Sequence, residues 1–119
     1  VEHEKLVKGV RTKGDNLRKL LTEDLLRLDE VGDVRGKGFM WGIEIVKDKQ
    51  SKKPFKRSLN VVEGIWDNLF KKGYLVYKST GLAGVDGDAL VIAPPYIIED
   101  DEIQMLVQAI KSAVIEFFT

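Results

Sequence analysis

Gly32 to Val46 reads GDVRGKGFMWGIEIV, and its second half decides the fold. From Phe39 to Val46 apolar side chains alternate, with Phe39, Trp41, Ile43 and Ile45 on one face and Met40, Gly42 and Glu44 on the other. A period of two is that of a β-strand with one side buried. Glu44, on the other side, is either exposed or paired. Gly32, Gly36 and Gly38 stand just before the strand and break the periodicity that precedes it.

Upstream, from Glu2 to Leu28, apolar residues recur at Leu6, Val10, Leu17, Leu20, Leu21, Leu25 and Leu28. Steps of three and four predict a long amphipathic helix. Gly9 and Gly14 interrupt it, each at a cost of up to about 1 kcal/mol relative to Ala, so its first half needs packing support. Downstream, Lys47 to Arg57 is a polar loop with Pro54, followed by a helix over Leu59 to Lys72. Its stripe is Val62, Ile65, Trp66, Leu69 and Phe70, and Gly73 closes it. Tyr74 to Tyr77 then reads as a short strand, and Ser79 to Asp88 as a glycine-rich loop with Gly81, Gly84 and Gly87. Ala89 to Ala93 is a strand ended by Pro94 and Pro95, neither of which can donate to a ladder. A last helix starts near Asp100 or Asp101, where Glu99 to Glu102 set negative charge against its positive end. Its stripe is Ile103, Leu106, Val107, Ile110, Val114 and Phe117. The order of helix, strand, helix, strand, strand, helix predicts one α+β domain over 1–119, with a mostly antiparallel sheet of about three strands covered on one face by helices.

Composition narrows the function. The 119 residues carry 19 Lys plus Arg against 19 Asp plus Glu, a formal net charge of +0. No global field therefore draws the chain to nucleic acid or an anionic membrane. Without cysteine there is no disulfide scaffold and no thiolate metal site. The charged start, VEHEKLVKG, lacks a signal peptide's apolar core, and no apolar run nears the roughly 18 residues of a membrane span. A cytoplasmic setting is the default expectation. The chain starts without Met and enters helical periodicity at once, so it is expected to be part of a longer polypeptide.

Several residues invite a functional reading beside a plainer one. The glycines at 36, 38 and 42 resemble a nucleotide-binding fingerprint, but that motif follows a strand and opens a helix, the reverse of the order here. Lys47, Lys49, Lys52, Lys53, Lys56 and Arg57 form a basic run that reads as a solvated loop in preference to a polyanion site. His3, the single histidine, has no evident acid/base partner. Trp41 and Trp66 lie on apolar faces and read as core. Arg35 either contacts a substrate or is structural, bonding backbone carbonyls at a domain junction; the structural reading is preferred.

Val31 to Glu44 (VGDVRGKGFMWGIE), Asp48 to Phe55 (DKQSKKPF) and Gly87 to Glu102 (GDALVIAPPYIIEDDE) together resemble signature segments of the small C-terminal domain of class III pyridoxal-phosphate aminotransferases. The resemblance spans nearly the whole chain. It implies a lobe that packs beside a large domain of the same polypeptide and helps close the substrate pocket. It also implies that the cofactor, pyridoxal phosphate, is held by that large domain, so no catalytic or cofactor-binding residue is expected here and the chain alone should be inactive. The implied reaction moves an amino group from an amine to a keto acid, in a parent enzyme expected to be a homodimer. Apolar surface is expected along the first helix, with weak self-association as its result.

Two departures carry information. Members acting on ornithine or acetylornithine place an arginine two residues before A-P-P, where its fork holds an α-carboxylate; Val91 stands there in this chain. Related sequences often read G-V-R-G-D in the preceding loop, where Gly84 to Asp88 reads GVDGD and puts Asp86 in the cation's place. Both point to an ω-amine or ω-amino acid donor, with Ser79, Thr80, Gly81 and Asp86 as the expected substrate-binding residues. Tyr96 replaces a residue that is often Leu or Phe. The competing reading is a free-standing α+β regulatory or protein-interaction module, since a small helix-covered sheet also serves such domains. An RNA-binding sheet would want stacking aromatics on a basic surface, which the neutral charge disfavours.

Overall fold

Register arranges the sheet. In the computed structural model, which describes residues 12–37, 40–83, 86–94 and 99–119, β1 (Val31–Lys37) pairs with β2 (Met40–Ile45). Next, β4 (Asp86–Ile92) pairs with β2 on one side and with β3 (Tyr77–Ala83) on the other. All three ladders are antiparallel, and the order is β1-β2-β4-β3. Between β2 and β3 lies α2 (Val61–Lys71), so β4 is inserted between two strands of like direction, as in a split β-α-β unit. The first helix, α1, is described over 12–20 and continues as a π-turn at Leu21–Leu25, while α3 (Asp100–Phe118) ends the domain. This is the expected α+β architecture.

Alternation puts Trp41, Ile43 and Ile45 of β2 and Leu90 and Ile92 of β4 on the buried side. Against them pack Leu17, Leu21 and Leu25 of α1, Val62, Ile65 and Leu69 of α2, and Ile103, Val107, Ile110 and Val114 of α3. The helical stripes thus meet the strand stripe in one apolar layer, the dominant favourable term in folding. Glu99 caps α3 through a reciprocal capping box, its backbone N–H donating to Glu102 at 3.1 Å. Gly73, at φ +92°, terminates α2 as expected.

The strand count is four, against an expectation of about three. Gly32 and Gly36 were expected to break structure, yet they lie inside β1 because another chain segment passes too close for a side chain. A Cβ at Gly36 would stand 2.7 Å from Trp41 Cα and nearer still to the Met40 carbonyl oxygen, and one at Gly32 would meet Val46 at 2.6 Å. The expected strand at Tyr74 to Tyr77 begins only at Tyr77, and most of the expected loop from Ser79 to Asp88 is the β3–β4 hairpin, irregular between Thr80 and Ala83. Glycine density there marks a bulged hairpin in place of an open loop.

One packing expectation is corrected as well. Phe70 projects outward, stacked on the half-buried Trp66 at a centroid distance of 5.3 Å. In the described part of α1, Leu17, Leu21 and Leu25 are buried, while Leu6, Gly9 and Val10 of the expected first helix lie outside the described residues; exposed apolar side chains gather at Leu75, Tyr77 and Met105, around a depression between α3 and the start of β3. His3, Gly38, Phe39, Gly84, Pro95 and Tyr96 lie outside the described residues. Among the described residues no helix is long and apolar enough to cross a membrane.

Gly36→Ala should destabilise the domain by about 1–3 kcal/mol through overpacking, lowering Tm by roughly 5 °C or more. Gly42→Ala, whose Cβ would find only the Arg35 carbonyl at 3.8 Å, should be neutral or slightly stabilising. Thermal unfolding of the two variants beside the parent checks this; equal Tm values would refute the close-approach account of Gly36.

Candidate functional site

The side of the sheet away from the helices is built by the alternate residues of each strand. Two cross-strand rows follow from register. Arg35, Gly42, Val91 and Tyr77 lie side by side in one, and Asp33, Glu44, Ala89 and Ser79 in the other. Because Gly42, Gly87 and Ala89 carry little or no side chain, the rows leave a groove of about 440 Å³. Its walls are Asp33, Arg35, Glu44, Ser79 and Val91, with Lys52 and Pro54 reaching over from the loop that follows β2.

Charge along the groove is ordered. Asp33 Oδ2 accepts from Arg35 Nε at 2.5 Å, and its Oδ1 accepts from the Val34 backbone N–H at 2.9 Å. The Arg35 hydrogen bond holds the Asp33 carboxyl below the ordinary carboxylate range against the opposing effect of burial, and the same bond raises the Arg35 guanidinium. Arg35 Nη2 also lies 3.7 Å from Glu44 Oε2. Glu44 is therefore paired, and Arg35, three-quarters exposed, holds two carboxylates, not the backbone carbonyls expected of it.

The basic run is not simply a solvated face. Lys49 Nζ donates to the Leu28 carbonyl at 3.3 Å and to that of Leu26, and Lys52 Nζ donates to the Gly32 carbonyl. Asp48 closes the turn by accepting from the Gln50 N–H at 3.1 Å and the Ser51 hydroxyl at 3.0 Å, and the Ser51 bond leads the effects that lower its carboxyl. On the helical side of the sheet Arg57 pairs with Glu63 of α2 and with Asp88, which is wholly buried. This loop thus ties the turn after α1, β1, α2 and β4 together.

Of the expected substrate-binding residues, Ser79 lies in the groove wall. Thr80, opposite Asp88, takes the alternate side of β3. Gly81 lies in β3, and Asp86 opens β4 with its backbone paired to Ala83. All four belong to one hairpin. Sequence reasoning missed Asp33, Lys52 and the Arg57–Asp88 pair; an acid within four residues of a conspicuous cation was the available signal for the first alone.

Pyridoxal phosphate does not fit this groove. Asp33 and Glu44 present carboxylates to it, Arg35 is engaged by those acids and Lys52 by a carbonyl, so a phosphate would meet repulsion without an open pair of cations.

Known proteins agree with this architecture. The sequence profile of the class-III aminotransferases matches residues 1–114. The uncharacterized aminotransferase YodT of Bacillus subtilis (strain 168) is 37% identical over 110 residues, 92% of this chain and 25% of that protein. A transaminase from the marine bacterium Virgibacillus superposes with a TM-score of 0.87 at 28% identity, over 98% of this chain and 26% of its own. The omega-transferase from Vibrio fluvialis JS17 gives 0.83 at 29% identity, over 99% and 26%. An α+β fold shared with part of each solved transaminase is thereby defined, and the chain belongs to the class-III aminotransferase family. It spans about a quarter of the length of the relatives it matches.

The Asp33–Arg35 pair makes a prediction with a definite sign. Since the folded carboxyl is lowered, its contribution to stability is present above the ordinary aspartate value near ~3.9 and disappears as pH falls through the folded value. The Tm difference between the parent and Asp33→Asn should therefore be greatest at neutral pH and vanish in strong acid; a difference that grows on acidification would contradict it.

Proposed function

We propose that this chain forms one wall of the substrate pocket of a pyridoxal-phosphate-dependent transaminase, and that the enzyme transfers an amino group from an ω-amine or ω-amino acid to a keto acid. The observation that carries the reading is Val91 at the centre of the outer groove, next to side-chain-free Gly42. An apolar wall there suits the methylenes of an ω-amine and offers no bidentate grip for an α-carboxylate. Similarity to the Vibrio fluvialis omega-transferase supports the same donor class.

The cofactor, which supplies the electronic chemistry when bound, belongs on this reading to the part of the polypeptide beyond this chain. The residues described here bind and orient: Gly42, Ala89 and Val91 receive the donor's apolar part, Ser79 offers a hydroxyl, and Thr80, Gly81 and Asp86 shape the hairpin at the groove's end. The large domain of the same polypeptide closes the pocket from the opposite side, and the enzyme works as a cytoplasmic homodimer. The several-fold greater length of the matched aminotransferases favours this enzyme part over a free-standing interaction module.

Substrate profiling of the full-length protein tests the donor class. Turnover of ω-amines should exceed that of ornithine or acetylornithine, and Val91→Arg should shift relative kcat/KM toward the α-carboxylate donors by about tenfold. Strong activity on ornithine with none on ω-amines would reject the reading. The 119-residue chain alone should show no pyridoxal-phosphate absorbance band and no exchange between amine and keto acid; robust turnover by it would place the reactive centre here after all.

A further inference from the structure

Asp88 is a fully buried charged residue whose place in β4 bears on the groove. Its chain neighbours Gly87 and Ala89 form the groove's floor, so strand alternation sends the Asp88 carboxylate to the opposite, helical side, directly beneath that floor. There Arg57 Nη1 donates to Asp88 Oδ1, while Arg57 Nη2 pairs with Glu63 Oε2 in the first turn of α2. Arg57 itself opens the short 3-10 turn Arg57–Leu59 that leads into α2. Across the hairpin, Thr80 faces Asp88, and the groove residue Ser79 faces Ala89. The groove wall is thus one residue from the ion pair. Gly87 sits at φ +118°, a left-handed conformation that glycine adopts freely.

We propose that Arg57 is a positioning residue for the groove: by holding Asp88 from beneath and Glu63 from the side, it fixes the β3–β4 hairpin to α2 and thereby sets where Ser79, Gly87 and Ala89 meet the substrate. The proposal rests on the transaminase reading only for its kinetic consequence. A guanidinium fork serves two carboxylates in fixed geometry, whereas a lysine at the same place would act as a point charge on a flexible stem. Removing the cation outright takes from a buried carboxylate its Arg57 ion pair, which opens the hairpin or costs stability.

The test uses the full-length protein carrying Arg57→Lys, Arg57→Met, and Arg57→Met combined with Asp88→Asn, the last removing the buried negative charge together with the cation so that the cost of the broken ion pair does not dominate. In Arg57→Met, hydrogen exchange of the β3 and β4 amides should quicken about tenfold while the β1–β2 pairing keeps its protection. KM for the amine donor should rise about tenfold with a smaller change in kcat, and Arg57→Lys should fall between. The combined variant should regain Tm without regaining KM. Unchanged exchange and KM in Arg57→Met, or faster exchange spread evenly over the whole domain, would overturn the proposal. If the intact parent protein transfers no amino group at all, the transaminase reading falls, and the exchange pattern alone decides the anchor.

Discussion

One buried face constrains everything else in this domain. Because side chains alternate along a strand, sliding β2 by a single residue would bring Met40, Gly42 and Glu44 into the apolar layer and send Trp41, Ile43 and Ile45 into water. The same step in β4 would exchange Leu90 and Ile92 for Ala89 and Val91. Burial of three large side chains on β2 and two on β4 therefore locks register, and register in turn fixes the composition of the other face. The groove is the complement of the core: Gly42 lies beside Val91, and Glu44 beside Ala89, because Trp41 lies beside Ile92 and Ile43 beside Leu90. A site of this kind is built by the packing underneath it, not by a loop folded over it.

This explains what could be read from the sequence. Helix stripes at Leu17, Leu21 and Leu25, at Val62, Ile65 and Leu69, and along α3 have strong period and long extent, and each is buried as the pattern requires. The β2 strand was equally plain. Strand β1 was hidden because its glycines are also the commonest mark of a turn, and only the backbone of β2 passing over Gly36 distinguishes close approach from a break. Strand β3 was hidden for a related reason: its sequence, YKSTGLA, has neither an apolar alternation nor a β-branched run, so its pairing is imposed by β4.

The site was legible in part. Val91 was identifiable through its place before Ala93 and Pro94, and Ser79 through the hairpin it belongs to. Asp33 and Arg35 converge with Glu44 because β1 and β2 pair side by side, a relation between residues nine or more positions apart that local pattern does not carry. The basic run shows the limit of charge counting. Lys49, Lys52 and Arg57 point at carbonyls and carboxylates supplied by the turn after α1, β1, α2 and β4, and a list of like charges contains no hint of where such partners will be.

The insertion of β4 between β2 and β3 has a consequence for biosynthesis. During translation β2 emerges long before β4, and β3 emerges next to it in sequence but not beside it in the finished sheet. Until residue 92 has left the ribosome, one edge of β2 has no native partner and the Ile43 and Ile45 stripe is only partly covered. Unpaired edges of this sort recruit other nascent chains. Early termination anywhere before β4 would thus yield a product that aggregates, and the cell's chaperones would be needed most during the interval between synthesis of the second strand and arrival of the last.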